Sequence, residues 1–123
     1  MTYEEIVQEV RKELMKSDVS SLKQHLAIQV DITGECEGAF YIELKDGKVY
    51  VEPYEYYDRD VKLIVSGKDF LKIVHGSLNP VMAYTVGKLK IEGDLGKALE
   101  LQQIIDSIKK NEKTAHKTSK KDA

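Results

Sequence analysis

Residues 79–94 read Asn-Pro-Val-Met-Ala-Tyr-Thr-Val-Gly-Lys-Leu-Lys-Ile-Glu-Gly-Asp, and most positions carry a structural instruction. Asn79 is a helix N-cap, and Pro80 after it lacks an N–H that a helix start leaves unpaired anyway. The helix runs to about Tyr84 and stops at Gly87. Leu89 and Ile91 then alternate with Lys88, Lys90 and Glu92, the period of a strand with one buried face. Gly93-Asp94 ends the strand and starts another helix. A strand held between two helices by such short turns needs a sheet to join, and the upstream chain supplies one.

Val61, Leu63 and Val65 form an alternating strand. Ser66 with Asp69 then caps a short helix, Lys68 to His75, closed by Gly76 at C′. Further back, Leu26, Ile28, Val30 and Ile32 alternate with His25, Ala27, Gln29 and Asp31 as far as Gly34, and Phe40, Ile42 and Leu44 make a second run. Asp46-Gly47 is a hairpin turn, since both residues tolerate positive φ. Val49 and Val51 lie on the return strand until Pro53, which cannot donate to a ladder. At the start, Thr2 and Glu5 make a capping box ahead of Tyr3, Ile6, Val7, Val10 and Leu14, the buried face of a helix ending near Lys16. Its other face is too acidic for an anionic bilayer. The reading is α+β: a five-stranded, mostly antiparallel sheet, wet on one face, with the helices on the other.

The length of 123 residues suits one domain, and 41% hydrophobic with 33% charged residues is the composition of a globular protein. No run approaches the ~20 apolar residues of a membrane span, and Met1-Thr2-Tyr3-Glu4-Glu5 lacks a basic, apolar leader. One cysteine fits a reducing cytoplasm. The net charge of −2 gives no basic field for nucleic acid. It is uneven, however: six lysines against Glu112 and Asp122 make residues 109–123 +4, leaving −6 on the rest. Residues 1–108 are expected to form the domain and 109–123 a lysine-rich flexible tail.

The last helix, roughly Leu95 to Lys109, points to a ligand. At 100° per residue, Leu95, Ala98, Leu99, Leu101, Ile104, Ile105 and Ile108 span an arc of about 220°, where packing on one sheet needs only about 100°. The surplus faces another helix, a subunit interface or an apolar guest, and periodicity leaves the three open. Gln102 falls inside the arc, as a satisfied core amide or as a polar group at a cavity wall. Phe70, Leu71, Ile73 and Val74 lie on one short middle helix and Val81, Met82 and Tyr84 on the other.

Asp60-Val61-Lys62-Leu63-Ile64-Val65, Asp69-Phe70, Gly76, Asn79-Pro80, Ala83-Tyr84, Gly87-Lys88-Leu89-Lys90-Ile91-Glu92-Gly93-Asp94, Ala98 and Leu101-Gln102 together resemble the sterol carrier protein type-2 domain family. The resemblance runs from Asp60 to Ile105, and by element order alone from Thr2 to Tyr54. It implies helices covering one sheet face and a hydrophobic tunnel between them for sterols, fatty acids, acyl-CoA or phospholipids. It makes Gln102 the polar candidate on the tunnel helix. The implied apolar lining is Phe70, Leu71, Val74, Val81, Met82, Val86, Leu95, Leu99 and Ile105. Eukaryotic carriers of this family often end in a peroxisomal Ser-Lys-Leu-type signal, whereas this sequence ends Lys121-Asp122-Ala123, and no peroxisomal address is expected. The expected partner is a lipid or other elongated apolar molecule, with at most transient membrane contact.

No catalytic constellation, cofactor fingerprint or metal-ligand spacing is read. His25, His75 and His116 are scattered, and His75 suits a helix C-terminus. Cys36 sits between Glu35 and Glu37, a poor setting for a thiolate. Tyr50, Tyr54, Tyr56 and Tyr57 are strand surface or an aromatic patch for a homodimer or a tunnel mouth. Glu43 and Glu52 are expected to keep that sheet face wet. The leading expectation is a non-catalytic lipid-binding or lipid-transfer module. The alternatives are an interaction or dimerisation domain, or an accessory module for an enzyme with hydrophobic substrates.

Overall fold

The computed structural model describes the backbone of residues 1–122 and the side chains of residues 1–108. The expectation for 109–123 falls outside the described side chains. Helix α1 (Tyr3–Leu14) is followed by β1 (Leu26–Thr33), β2 (Gly38–Lys45), β3 (Lys48–Glu52), β4 (Val61–Ser66), α2 (Gly67–Val74), α3 (Pro80–Thr85), β5 (Leu89–Gly93) and α4 (Leu95–Asp122). The strands form one sheet in the order β3-β2-β1-β4-β5. All pairings are antiparallel except β1 with β4, which run parallel.

The caps are those the sequence encodes. Thr2 and Glu5 form a reciprocal capping box. Ser66 accepts from the Asp69 amide, Asn79 from the amides of Val81 and Met82, and Asp94 from those of Gly96 and Lys97. Each satisfies an amide that the first helical turn leaves unpaired.

Register carries the alternation across the sheet. Val51, Ile42, Ile28 and Val61 make one row, and Phe40, Val30, Leu63 and Ile91 another. These side chains share one face, and α1, α2 and α4 cover it. Phe40 meets Phe70 of α2 edge-to-face at 5.8 Å, the arrangement ring quadrupoles favour. Arg11 of α1 donates from Nε and Nη2 to the Val51 carbonyl at 3.0 and 2.7 Å. The Tyr3 hydroxyl donates to the carbonyl of Ala39. Helix α1 is thereby fixed over the β3 edge, while α3 packs beside β5 at the other edge.

The opposite sheet face is less wet than the alternation predicts. The connection 53–60 crosses β2 and β1 on that side. The Tyr56 amide and Arg59 Nη1 donate to Gln29 Oε1 at 3.1 and 3.3 Å, and Gln29 Nε2 donates to Asp31 at 2.8 Å. This is why Gln29 is buried at no cost in unmet hydrogen bonds. Tyr56 also packs edge-on against Tyr41 at 5.1 Å and donates its hydroxyl to Glu43 at 2.7 Å. His25 Nε2 lies 2.6 Å from the same carboxylate oxygen. Glu43 is therefore a network member rather than a solvated charge.

The network makes stability pH-dependent. Burial opposes ionisation of Glu43, but the hydrogen bonds from His25 and Tyr56 prevail and hold its carboxyl below the usual range. A carboxylate favoured in the folded state stabilises above its unfolded pKa and loses that contribution as pH falls through the folded one. Glu43→Gln is expected to cost about 1 kcal/mol at pH 7. In urea unfolding, that difference should shrink toward zero below pH 4.5, the ordinary value for this group. At the alkaline end, the bond to Glu43 and then burial push the Tyr56 phenol up to about 12, so its contribution holds below pH 10 and is lost toward pH 12.

Candidate functional site

On the helix-covered face, a cavity of about 260 Å³ lies between the β4–β5 edge of the sheet and helices α2, α3 and α4. Leu63, Leu89 and Ile91 form its floor, and Phe70 and Ile73 of α2 one wall. Pro80, Val81 and Tyr84 of α3 face Leu95, Ala98, Leu99 and Leu101 of α4. Among these twelve residues the Tyr84 hydroxyl is the only polar side-chain group. The cavity opens to solvent between α3 and the first turns of α4, where Val81, Tyr84, Leu95 and Leu99 are about half exposed.

The geometry of α4 explains the opening. Ala98, Leu101, Ile104, Ile105 and Ile108 are buried against the sheet and α1, and they occupy about 120° of the helix wheel. The remaining apolar positions of the described part of α4, Leu95 and Leu99, have no packing partner of that kind and line the cavity. The surplus arc thus faces the cavity.

Four residues of the sequence-derived lining, Phe70, Val81, Leu95 and Leu99, come together around this space. The other six do not. Val74 and Ile105 are buried in the continuous core, and Leu71 packs partly buried against it. Met82 and Val86 lie outside the lining, on the exposed side of α3 and its C-cap. Gln102 also lies outside it, donating its amide to Asp106 Oδ1 at 2.7 Å, one turn along the helix. Gln102→Leu is accordingly expected to leave displacement titrations with a fluorescent fatty acid unchanged.

The other eight lining residues, Leu63, Ile73, Pro80, Tyr84, Leu89, Ile91, Ala98 and Leu101, are absent from the sequence-derived lining. The i, i+3 spacing of Val81 and Tyr84 was the available signal for the shared face. Alternation alone cannot separate a strand residue beneath a helix from one beneath a cavity.

Two further clusters are assembled by the fold. Sequence spacing shows no metal-ligand pattern, yet Glu9 and Glu13 of α1 and His75 after α2 bring their ligand atoms within 4.8 Å of one another. His75 Nε2 lies 3.1 Å from Glu9 and 3.9 Å from Glu13, and the Lys16 ammonium is 3.0 Å from Glu13. With that cation beside Glu13, the cluster reads as a polar clasp between α1 and α2, held by the contact of His75 with Glu9. On the outer sheet face, Tyr41, Glu43, Tyr50, Glu52 and Tyr54 line a shallow groove of mixed polarity. Among the described residues, no helix is long and apolar enough to cross a membrane.

Comparison with known proteins matches this architecture. The model of the SCP-2 sterol transfer family matches residues 4–106. Hydroxysteroid dehydrogenase-like protein 2 of Xenopus laevis is 34% identical over 108 residues, 87% of this chain and 24% of that protein. Human sterol carrier protein 2 is 35% identical over 74 residues, 60% of this chain and 14% of that protein. The chain thus spans less than a quarter of the length of these curated relatives. The solution NMR structure of palmitated SCP2L2 from Aedes aegypti superposes with a TM-score of 0.64 at 25% identity, covering 85% of this chain and 95% of that one. A helix-covered five-stranded sheet, an apolar cavity at its β5 edge and a family match over 4–106 lead to one conclusion: the chain belongs to the SCP-2 sterol transfer family.

Proposed function

We propose that this chain is a lipid-binding and lipid-transfer module that acts without chemistry of its own and works in the cytoplasm. Its guest is the acyl chain of a fatty acid, acyl-CoA or phospholipid, or a sterol-like molecule. The observation that carries the reading is the cavity wall, which is apolar apart from one phenol hydroxyl and is open at one end. Such a space rewards methylene groups, at about 0.8 kcal/mol for each one desolvated. It offers no charged partner to a head group, which therefore stays at the mouth beside Tyr84. The palmitated state of the Aedes aegypti relative supports an acyl chain as guest. Native mass spectrometry of protein purified from cells tests the reading. Co-purified lipid, displaceable by a fluorescent fatty acid, is the expected result. Protein that is always empty and takes up no fatty acid overturns it.

A second reading is favoured by the short span of the match to hydroxysteroid dehydrogenase-like protein 2. Here the same cavity presents a hydrophobic substrate to an enzyme. A rise in such an enzyme's rate when this chain is added, lost in a variant with a blocked cavity, would separate presentation from simple carriage.

A further inference from the structure

We infer that the outer face of α3, with the mouth-side turn of α4, is a docking surface for an anionic lipid bilayer. Residues 77–87 contain no charged side chain, in a chain one third of whose residues are charged. This segment does not lie in the core. Val81, Met82, Tyr84 and Val86, with Leu95 and Leu99 across the mouth, are each between 47% and 61% exposed. Isolated exposed apolar residues are ordinary, but a contiguous group of this size marks a surface that meets something.

The occupant follows from three features. First, the patch is continuous with the mouth: Val81, Tyr84, Leu95 and Leu99 both line the cavity and face outward. A bilayer covering this face opens the cavity directly to lipid, whereas a tightly bound protein would close it. Second, the lysine at its border suits anionic head groups. Lys88, in the turn between α3 and β5, is exposed and makes no ion pair among the described residues, and a lysine near an anionic surface contributes about 1 kcal/mol. Tyr84 has the ring-plus-hydroxyl chemistry that settles at a membrane interface. Third, the acidic outer face of α1 is far from the contact, because α1 packs at the β3 edge and α3 at the β5 edge. The proposal rests on the lipid reading of the cavity for the nature of the partner, and on the exposed face for its location.

The chain has no tryptophan, so a single one reports its own surroundings. Met82→Trp places it on the exposed face outside the cavity lining, and Tyr57→Trp places a control on the opposite side of the sheet. With vesicles of phosphatidylcholine and phosphatidylglycerol, M82W emission should shift to the blue and be quenched by brominated acyl chains, while Y57W stays unchanged. Adding Val86→Glu to M82W should lower partitioning at least about tenfold, and adding Lys88→Gln about fivefold. No shift for M82W, or an equal shift for Y57W, overturns the docking surface. So does burial of the M82W indole in a lipid-free dimer, seen by sedimentation. Fluorescent fatty acid uptake is read on the same samples. Uptake without vesicle binding refutes docking alone, and vesicle binding without uptake supports docking while refuting the cavity reading.

Discussion

Leu99→Arg is expected to abolish binding of a fluorescent fatty acid while leaving the protein folded. Leu99 lines the cavity, yet 55% of its surface is exposed at the mouth. An arginine there can reach water through its long stem, so the empty protein tolerates it. A guest in the cavity would strip that guanidinium of solvent, and no carboxylate lies on the wall to replace the lost water. Burying an uncompensated charge costs several kcal/mol. We therefore expect affinity to fall at least about 100-fold, or ~3 kcal/mol, with stability within about 0.5 kcal/mol of the parent. Displacement titration with circular dichroism and thermal melting on one sample reads both. A loss below about fivefold would remove Leu99 from the binding wall.

The second large effect is on stability. Gly93→Ala should cost about 3 kcal/mol, the sum of backbone strain and a steric clash. Gly93 has φ of 112°, a region closed to side-chain-bearing residues, and a Cβ there would lie 2.8 Å from the Asp60 carbonyl oxygen. Neither strand can yield. Gly93 is paired with Val61, the Asp94 amide donates to the Asp60 carbonyl at 3.1 Å, and the Asp60 carboxylate accepts from the Ala27 amide. Gly87→Ala is the control. Its φ of 82° is also positive, but nothing lies within 4 Å of the added carbon, so only the strain of about 1–2 kcal/mol remains. Thermal unfolding should show G93A melting well below G87A. Equal melting temperatures would mean that the Asp60 corner has slack.

Most of the architecture was legible because it depends on local patterns. Leu89 and Ile91 alternate, Asn79-Pro80 caps, and Asp46-Gly47 turns, wherever the rest of the chain goes. The crossing of Tyr56 over Tyr41 and Gln29 was not legible. A tyrosine-rich loop reads the same whether it projects into water or folds back over a sheet. The site was half legible for a related reason. The width of the apolar arc on α4 showed that grease was left over, and Leu95 and Leu99 are that remainder. It did not show which side of α3 faces them, so Val81 was assigned to the cavity together with Met82, one residue on, which points away. Gln102 has its partner one turn along its own helix, an answer that its place on the arc did not reveal.

The parallel pairing of β1 with β4 sets an order of events for the growing chain. β1, β2 and β3 can zip through neighbouring turns as soon as they emerge, but one side of β1 then has its amides and carbonyls bare until residues beyond Val61 arrive. Such a bare strand edge invites pairing with other chains, and closure over a long loop is slow. A fragment released after Glu52 should therefore aggregate, and the ribosome-bound chain passes its most vulnerable moment just before β4 is delivered.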